Sequence, residues 1–287
     1  MAIDYEIKDA FITEIKPNFD NFKLAFIAKD LNFNEYIFKP SWENHYHNIN
    51  EFISHYIAKL IDAPVTDGIF LKIDPGNMEE YHEKIKMAFS HMILPTYIPP
   101  YDDAIFFATK YLKLSTSAKT INHLENSLIG TSNKDGYFSQ FPLDQYLKNP
   151  DRHLGNHIFY KEQHKKNFYL IDFDRIFHGP TDWSKLSHNI NNTDCFTKSG
   201  YNADLYPTVT DEDIKIVHDF ATKIEKKITD KEIQNICDII IEVYGTSKQY
   251  LDKIEAWLKH RRDLIYSACL KNEPCYENVK QEGVFKC

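Results

Sequence analysis

The hydrophobic rhythm of the chain changes between its two halves. Up to about residue 112, short apolar and aromatic runs alternate with clusters of Asn, Asp and Pro: Ala-Phe-Ile-Thr-Glu-Ile at 10–15, Phe-Lys-Leu-Ala-Phe-Ile-Ala at 22–28, and Glu-Tyr-Ile-Phe-Lys at 35–39. That pattern predicts an antiparallel sheet interrupted by turns. One segment within it has a different period. Ile49, Phe52, Ile53, Tyr56, Ile57 and Leu60 recur at three- and four-residue spacing, which predicts a helix over 48–61. From about residue 207 the pattern is almost all helical. Thr210-Asp-Glu-Asp213 and Thr229-Asp-Lys-Glu232 read as helix starts, the second with full capping-box spacing, and a long helix is expected over 247–270. The expected fold class is α+β and bilobal. A small β-rich lobe with one helix occupies residues 1–112, and a larger, mostly helical lobe occupies 113–287.

Between these halves lies the stretch richest in chemistry. It reads Lys-Asn-Pro-Asp-Arg-His-Leu-Gly-Asn-His-Ile-Phe, then a polar turn, then Asn-Phe-Tyr-Leu-Ile-Asp-Phe-Asp-Arg. Asp151, Asn156 five positions on, and Asp172 at the end of an apolar strand are the groups that phosphoryl transfer from Mg-ATP requires. One carboxylate takes or orients the acceptor proton, while an amide and a second carboxylate hold Mg²⁺ against the phosphates. Ile158 and Phe159 lead into one strand, and residues 168–171 form its antiparallel partner. The hairpin thereby delivers Asp172 beside Asn156. In the β-rich half Lys39 ends an apolar strand, from which its ammonium can reach the α- and β-phosphates. Glu51, near the start of the following helix, can pair with it and hold it in place.

Composition narrows the remaining options. At 287 residues and 43% hydrophobic, the chain can bury one large core or two smaller ones. A net charge of −8 argues against bulk nucleic acid or an anionic membrane as the main partner. No apolar run approaches a membrane span, and the N-terminal Met-Ala-Ile-Asp-Tyr-Glu lacks the apolar segment of a signal peptide, so a cytoplasmic protein is expected. The five cysteines, Cys195, Cys237, Cys269, Cys275 and Cys287, contain no CxxC pair and are odd in number, which favours reduced structural thiols.

The order of these segments resembles the HipA-like kinases, and more distantly the phosphoinositide-kinase-like superfamily. It runs Ile-Phe-Lys-Pro, then the helix ending Leu-Ile-Asp-Ala-Pro-Val, then Asn-Pro-Asp-Arg-His-Leu-Gly-Asn, then Leu-Ile-Asp-Phe-Asp, and the likeness covers roughly residues 8–180. The resemblance implies a protein-kinase-like fold, with Asp151 as catalytic aspartate, Asn156 and Asp172 as Mg²⁺ ligands, Lys39 on the ATP phosphates and Glu51 as its partner. It also implies that the run Ile-Phe-Phe-Ala-Thr-Lys-Tyr at 105–111 is the hinge facing adenine. The acceptor it implies is a Ser/Thr hydroxyl of a protein, possible autophosphorylation included. The setting it implies is a toxin–antitoxin system with an antitoxin partner, whose targets in the family include aminoacyl-tRNA synthetases.

Two features depart from that pattern. The first glycine is Gly68, so no Gly-rich phosphate loop joins the first strands, and the turn at 16–22, Lys-Pro-Asn-Phe-Asp-Asn-Phe, would have to serve instead through backbone amides or Lys16. The metal strand ends Asp172-Phe-Asp174, where Asp174 reads as a surface turn residue in preference to a second metal ligand. Competing readings are a small-molecule or lipid kinase of the same fold and a nucleotide-binding pseudokinase acting as a binding module. His45-x-His47 and His153-x-x-x-His157 have metal-like spacing but lack the Glu of an HExxH helix. Arg152 and His153 are expected to brace the loop. The Lys-His-Arg-Arg cluster at 259–262 reads as the complement of a helix C-terminal dipole and not as a nucleic-acid site. Ser115, Thr116 and Ser117 read as a phosphoacceptor segment, an activation-type loop or a plain linker, with no local signal to separate them.

Overall fold

The structure is a computed structural model and describes residues 5–18, 23–39, 46–88, 105–149, 151–177 and 210–271. The chain divides into two compact units, residues 1–52 with 66–112, and residues 53–65 with 113–287.

The first unit is built on five strands: β1 (Ile7–Asn18), β2 (Lys23–Asp30), β3 (Glu35–Phe38), β4 (Gly68–Ile73) and β5 (Ile105–Lys110). They close into a barrel in the order β1-β2-β3-β5-β4. Closure depends on one pairing that alternation could not reveal, because β1 and β4 run parallel while the other neighbours are antiparallel. Alternate residues of each strand fill the interior. Phe26 stacks on Phe38 at 5.5 Å, and Phe38 meets Phe106 at 4.9 Å between ring centres.

Helix α1 (Tyr46–Leu60) follows β3 and buries the predicted stripe, Ile49, Phe52, Ile53, Tyr56 and Ile57. Phe52 packs against Tyr5, Phe70 and Phe107. The expectation of a single helix in this half is corrected, since α2 (Pro75–Ala88) is a second. Its Pro75-Gly76 start has the look of a turn, yet Pro suits the first helical position, and the Asp74 carboxylate caps the turn by accepting from Asn77 N at 3.1 Å. Asn77 in turn accepts from Ile12 N at 2.7 Å, where the β1–β2 register slips. The strand's disrupted ladder thus finds its acceptor in the helix that sequence reading passed over.

The second unit holds β6 (Thr116–Ser117), β7 (His157–Glu162) and β8 (Lys165–Leu170), hydrogen-bonded in that order. The β7–β8 hairpin is antiparallel, with Ile158 opposite Tyr169 and Phe159 opposite Phe168. Thr116 and Ser117 pair with β7, so this segment is an edge strand and not a linker. The helices are α3 (Ile121–Leu128), α4 (Gln140–Leu147), α5 (Asp211–Lys227), α6 (Asp230–Tyr244) and α7 (Lys248–Lys271). Every residue of α4 is buried. Tyr146 donates its hydroxyl to Leu258 O at 3.0 Å, and Arg261 returns from α7 to the carbonyls of Tyr146, at 2.9 Å, and Gln145.

Two sequence readings change here. The capping box closes at Thr210 and Asp213, whereas Glu232 accepts instead from the Tyr56 hydroxyl at 2.6 Å, a tertiary bond that holds its carboxylate away from the box geometry. The basic cluster lies within α7, short of its end, and each cation has an internal partner. Lys259 pairs with Glu255 and Asp230, Arg262 with Asp230 and Asp263, and Arg261 is buried over Trp257. Cys237 is buried and unpaired, and burial pushes its thiol up to about 12, which keeps it inert at neutral pH. The other four cysteine side chains lie outside the described residues. Among those described, no helix is long and apolar enough to cross a membrane.

Candidate active site

In the second unit, the loop between α4 and β7 is organised around one buried carboxylate. Lys148 ends α4 in the left-handed conformation, φ +50°, and turns the chain. Asn149 then folds back, its amide nitrogen donating to Asp144 Oδ1 at 3.0 Å and its backbone N–H to Asp144 O at 3.0 Å. Asn149 Oδ1 accepts from Asp151 N at 3.2 Å, so the residue fixes the departure of the loop in both directions. Arg152 clasps Asp144 with Nε and Nη2, both at 2.8 Å. Its Nη1 donates to Ile171 O at 2.7 Å, and the guanidinium lies 4.4 Å over the Phe173 ring. The bracing role expected of Arg152 is thus filled by a fork joined to a carboxylate, a carbonyl and an aromatic face.

This clamp joins the loop to the end of β8, and Asn156 joins them again. Its side-chain nitrogen donates to Asp151 O at 2.9 Å, while its own carbonyl accepts from Ile171 N at 3.1 Å. Asp151, Asn156 and Asp172 are therefore tied through two hydrogen bonds and one peptide link. Asp172 has φ +62°, a left-handed conformation that a short polar side chain tolerates better than most but that still costs energy. Asp151 pairs with Arg175, Nε to Oδ2 at 3.3 Å. Asp174 does sit in a turn, but it is buried, against the expectation of a surface position.

Two histidines complete the loop. His153 Nδ1 accepts from Gly155 N at 3.1 Å and caps a short 3₁₀ turn, Leu154–Asn156. A side chain at 155 would press on the His153 ring at 3.0 Å. His157 is buried, with Nδ1 3.3 Å from Leu154 O and Nε2 2.7 Å from Gln140 Oε1. Burial, reinforced by the charge of Arg152, pushes its imidazole down to about 3, so it is neutral at physiological pH. These contacts leave His153 and His157 facing separate partners. Among the described residues no group of three His, Cys, Asp or Glu side chains is placed to hold a metal ion. His45 lies outside the described residues.

In the first unit, Lys39 Nζ stands 3.2 Å from Glu51 Oε1, with both side chains mostly buried. The pairing is set by Asn48, which sequence reading missed. Its amide donates to Lys39 O at 2.7 Å and accepts from Phe107 N at 2.7 Å, fastening the end of β3 and α1 to β5. The run at 105–111 expected as the hinge coincides with β5 and the one residue that follows it. Of the turn at 16–22, residues 16–18 form the end of β1 and 19–22 lie outside the described residues.

Asn156 and Asp172 each carry an oxygen donor of the type a hard divalent cation takes. The Asn156 amide nitrogen is committed to Asp151 O, and its Oδ1 has no hydrogen-bond partner among the described residues. That oxygen and the Asp172 carboxylate are the kind of ligands Mg²⁺ takes while keeping water and phosphate oxygens for its remaining positions. Asp144, Asn149 and Asn48 gave no local signal in the sequence. Each is one polar residue in a polar or mixed run, and its importance arises only from tertiary burial.

No protein-family model and no curated protein matches the chain. Among solved structures, the chain is similar to the proinflammatory kinase CtkA of Helicobacter pylori, with a TM-score of 0.53 over 93% of this chain and 98% of that one, at 15% identity. The chain has a kinase-like fold. HipA of Shewanella oneidensis MR-1, solved in a toxin–antitoxin complex with HipB and operator DNA, aligns at a TM-score of 0.39 and 10% identity over 94% of this chain and 65% of that one. At such identities the likeness to CtkA is one of fold, and it agrees with the kinase fold that the sequence resemblance implied.

Proposed function

We propose that the protein is an ATP- and Mg²⁺-dependent kinase of HipA-like type that transfers the γ-phosphate to a Ser or Thr hydroxyl of a protein, itself included. The observation that carries this reading is the Asn156 bridge, which holds Asp151 on one side and the strand end bearing Asp172 on the other. Asp151 orients the acceptor hydroxyl for in-line attack and receives its proton as the oxygen–phosphorus bond forms. Asn156 and Asp172 hold the metal, which when bound neutralises phosphate charge. Lys39, kept in place by Glu51, binds the α- and β-phosphates, and β5 faces the adenine.

A cytoplasmic setting, an antitoxin partner and an aminoacyl-tRNA synthetase as acceptor complete the proposal; the first rests on the apolar pattern of the sequence and the other two on the sequence resemblance alone. A nucleotide-binding pseudokinase is the second reading, favoured by the lack of any glycine before Gly68 in a fold whose phosphates are often held by a Gly-rich turn. The test is incubation of the purified chain with Mg²⁺ and γ-labelled ATP, alone and with cell lysate, beside Asp151→Ala. Label that depends on Asp151 supports a kinase. ATP binding without label supports the pseudokinase, and absence of ATP binding removes both.

A further inference from the structure

The turn that follows Asp172 presents a single side chain to solvent. Phe173, Asp174, Ile176 and Phe177 are all buried, and Arg175 alone is exposed. Both flanks are anchored. Phe173 lies under the Arg152 guanidinium, while Phe177 packs on Trp257 at 4.8 Å and donates its backbone N–H to Leu147 O at 2.8 Å. A turn fixed in this way leaves Arg175 little choice of position, and its Nε meets Asp151 Oδ2 at 3.3 Å. The ion pair is closest at one corner of the guanidinium. Nη1 and Nη2, which carry four of its five N–H donors, make no hydrogen bond among the described residues.

A half-exposed ion pair adds little to stability, so stability does not account for an arginine held beside this carboxylate. Its free edge is a fork with fixed positive charge, the shape that suits two oxygens of a phosphate. Resting on the kinase reading, we infer that Arg175 is a catalytic residue of the phosphoryl transfer, with Nε on Asp151 and its terminal amino groups on non-bridging oxygens of the γ-phosphoryl group. The group being transferred must pass within bonding distance of the hydroxyl that Asp151 orients, so a cation attached to Asp151 stands beside it. In the transition state the bond from the γ-phosphorus to the bridging oxygen of ADP breaks as the acceptor bond forms, and charge spreads over the three non-bridging oxygens. A prepositioned guanidinium stabilises that charge and aligns phosphorus with acceptor. It also supplies in the second unit a phosphate contact that the missing glycine loop does not.

The test uses the full chain with Mg-ATP and desalted cell lysate as the source of acceptor, with ADP formed above the lysate blank as the readout, because ADP leaves at every transfer whichever hydroxyl accepts the phosphoryl group. Arg175→Met is expected to lower kcat by about 10²-fold while the KM for ATP moves less than about threefold. Arg175→Lys is expected to retain an intermediate rate, and millimolar guanidinium is expected to restore part of the turnover of Arg175→Ala. Independently of turnover, the wild type is expected to bind Mg-ADP with aluminium fluoride more tightly than Mg-ADP, and Arg175→Met to lose that margin. If Arg175→Met turns over at the wild-type rate while Asp151→Ala is dead, the inference is overturned and the kinase reading stands. A slow Arg175→Met that keeps the full aluminium fluoride margin reduces Arg175 to a brace for Asp151 and also overturns it. Wild-type protein that forms no ADP above the blank, or Asp151→Ala that forms it at the wild-type rate, overturns both.

Discussion

Arg152 and Asp144 meet fork to fork, two N–H···O bonds of 2.8 Å between side chains almost wholly withdrawn from water. Such a pair contributes less to net stability than its geometry suggests, because both ions lost their hydration to form it. Breaking it is a different matter, since one charge is left buried without its partner. Arg152→Met or Asp144→Leu is expected to cost about 3–5 kcal/mol in denaturant unfolding. The double variant is expected to recover part of that loss. Arg152→Lys should behave as a disruptive change, because an ammonium cannot hold Asp144 bidentately and reach Ile171 O as well.

Asp151 and Asp172 should separate chemistry from binding. Asp151→Ala is expected to abolish transfer while leaving ATP affinity nearly intact, since the lost carboxylate serves the acceptor side. Asp172→Gly is the more informative change. Glycine adopts φ +62° without a Cβ penalty, so the variant should be as stable as wild type or gain up to about 1 kcal/mol. It should lose activity together with its Mg²⁺ dependence. Thermal unfolding and label transfer on the same preparation check both halves, and a large loss of stability would refute the strain argument.

Legibility followed how local each signal was. The stripe of α1, the β7–β8 hairpin and the Thr210 cap could be read because period and turn chemistry lie within one segment. Asp151, Asn156 and Asp172 could be singled out as candidates because their spacing is itself a motif. Helix α2 was hidden by a Pro-Gly start and weak amphipathicity. The parallel β1–β4 pairing joins segments some sixty residues apart, beyond any periodicity. Asp144, Asn149 and Asn48 acquire their roles only through burial, and a single polar residue in sequence does not declare whether it will be buried. Glu232 shows the converse, a good capping-box residue taken by Tyr56 from 176 positions away.

Lys39 and Glu51 are mostly buried, but glutamine at 51 keeps the shape of Glu51 and an oxygen that can accept from the Lys39 ammonium, so losing the charge alone should register in function more than in stability. Glu51→Gln is expected to change unfolding free energy by less than about 1 kcal/mol and to weaken ATP binding by freeing Lys39. Asn48→Ala should do the reverse. It leaves the Phe107 N–H without its side-chain acceptor and Lys39 O without its donor, at a cost of about 1–3 kcal/mol in stability. Equilibrium unfolding beside nucleotide titration distinguishes the two patterns.

His157 makes the stability of the second unit depend on pH in a defined direction. Its imidazole has an ordinary value near 6.5 when unfolded and is pushed down to about 3 when folded, chiefly by burial. Between those values the unfolded chain binds a proton that the folded chain refuses, so protonation favours unfolding. The contribution is complete above pH 6.5 and is lost as pH falls through the window toward 3. Across that window wild type should lose stability more steeply than His157→Gln, by up to about 1.4 kcal/mol per pH unit for one proton. Near neutrality both should be flat with respect to this group, and no limb of a pH–rate profile at pH 6–7 should disappear in the variant. Urea unfolding of both proteins from pH 7 to pH 4 measures the difference, and parallel curves would place the His157 ring in contact with water.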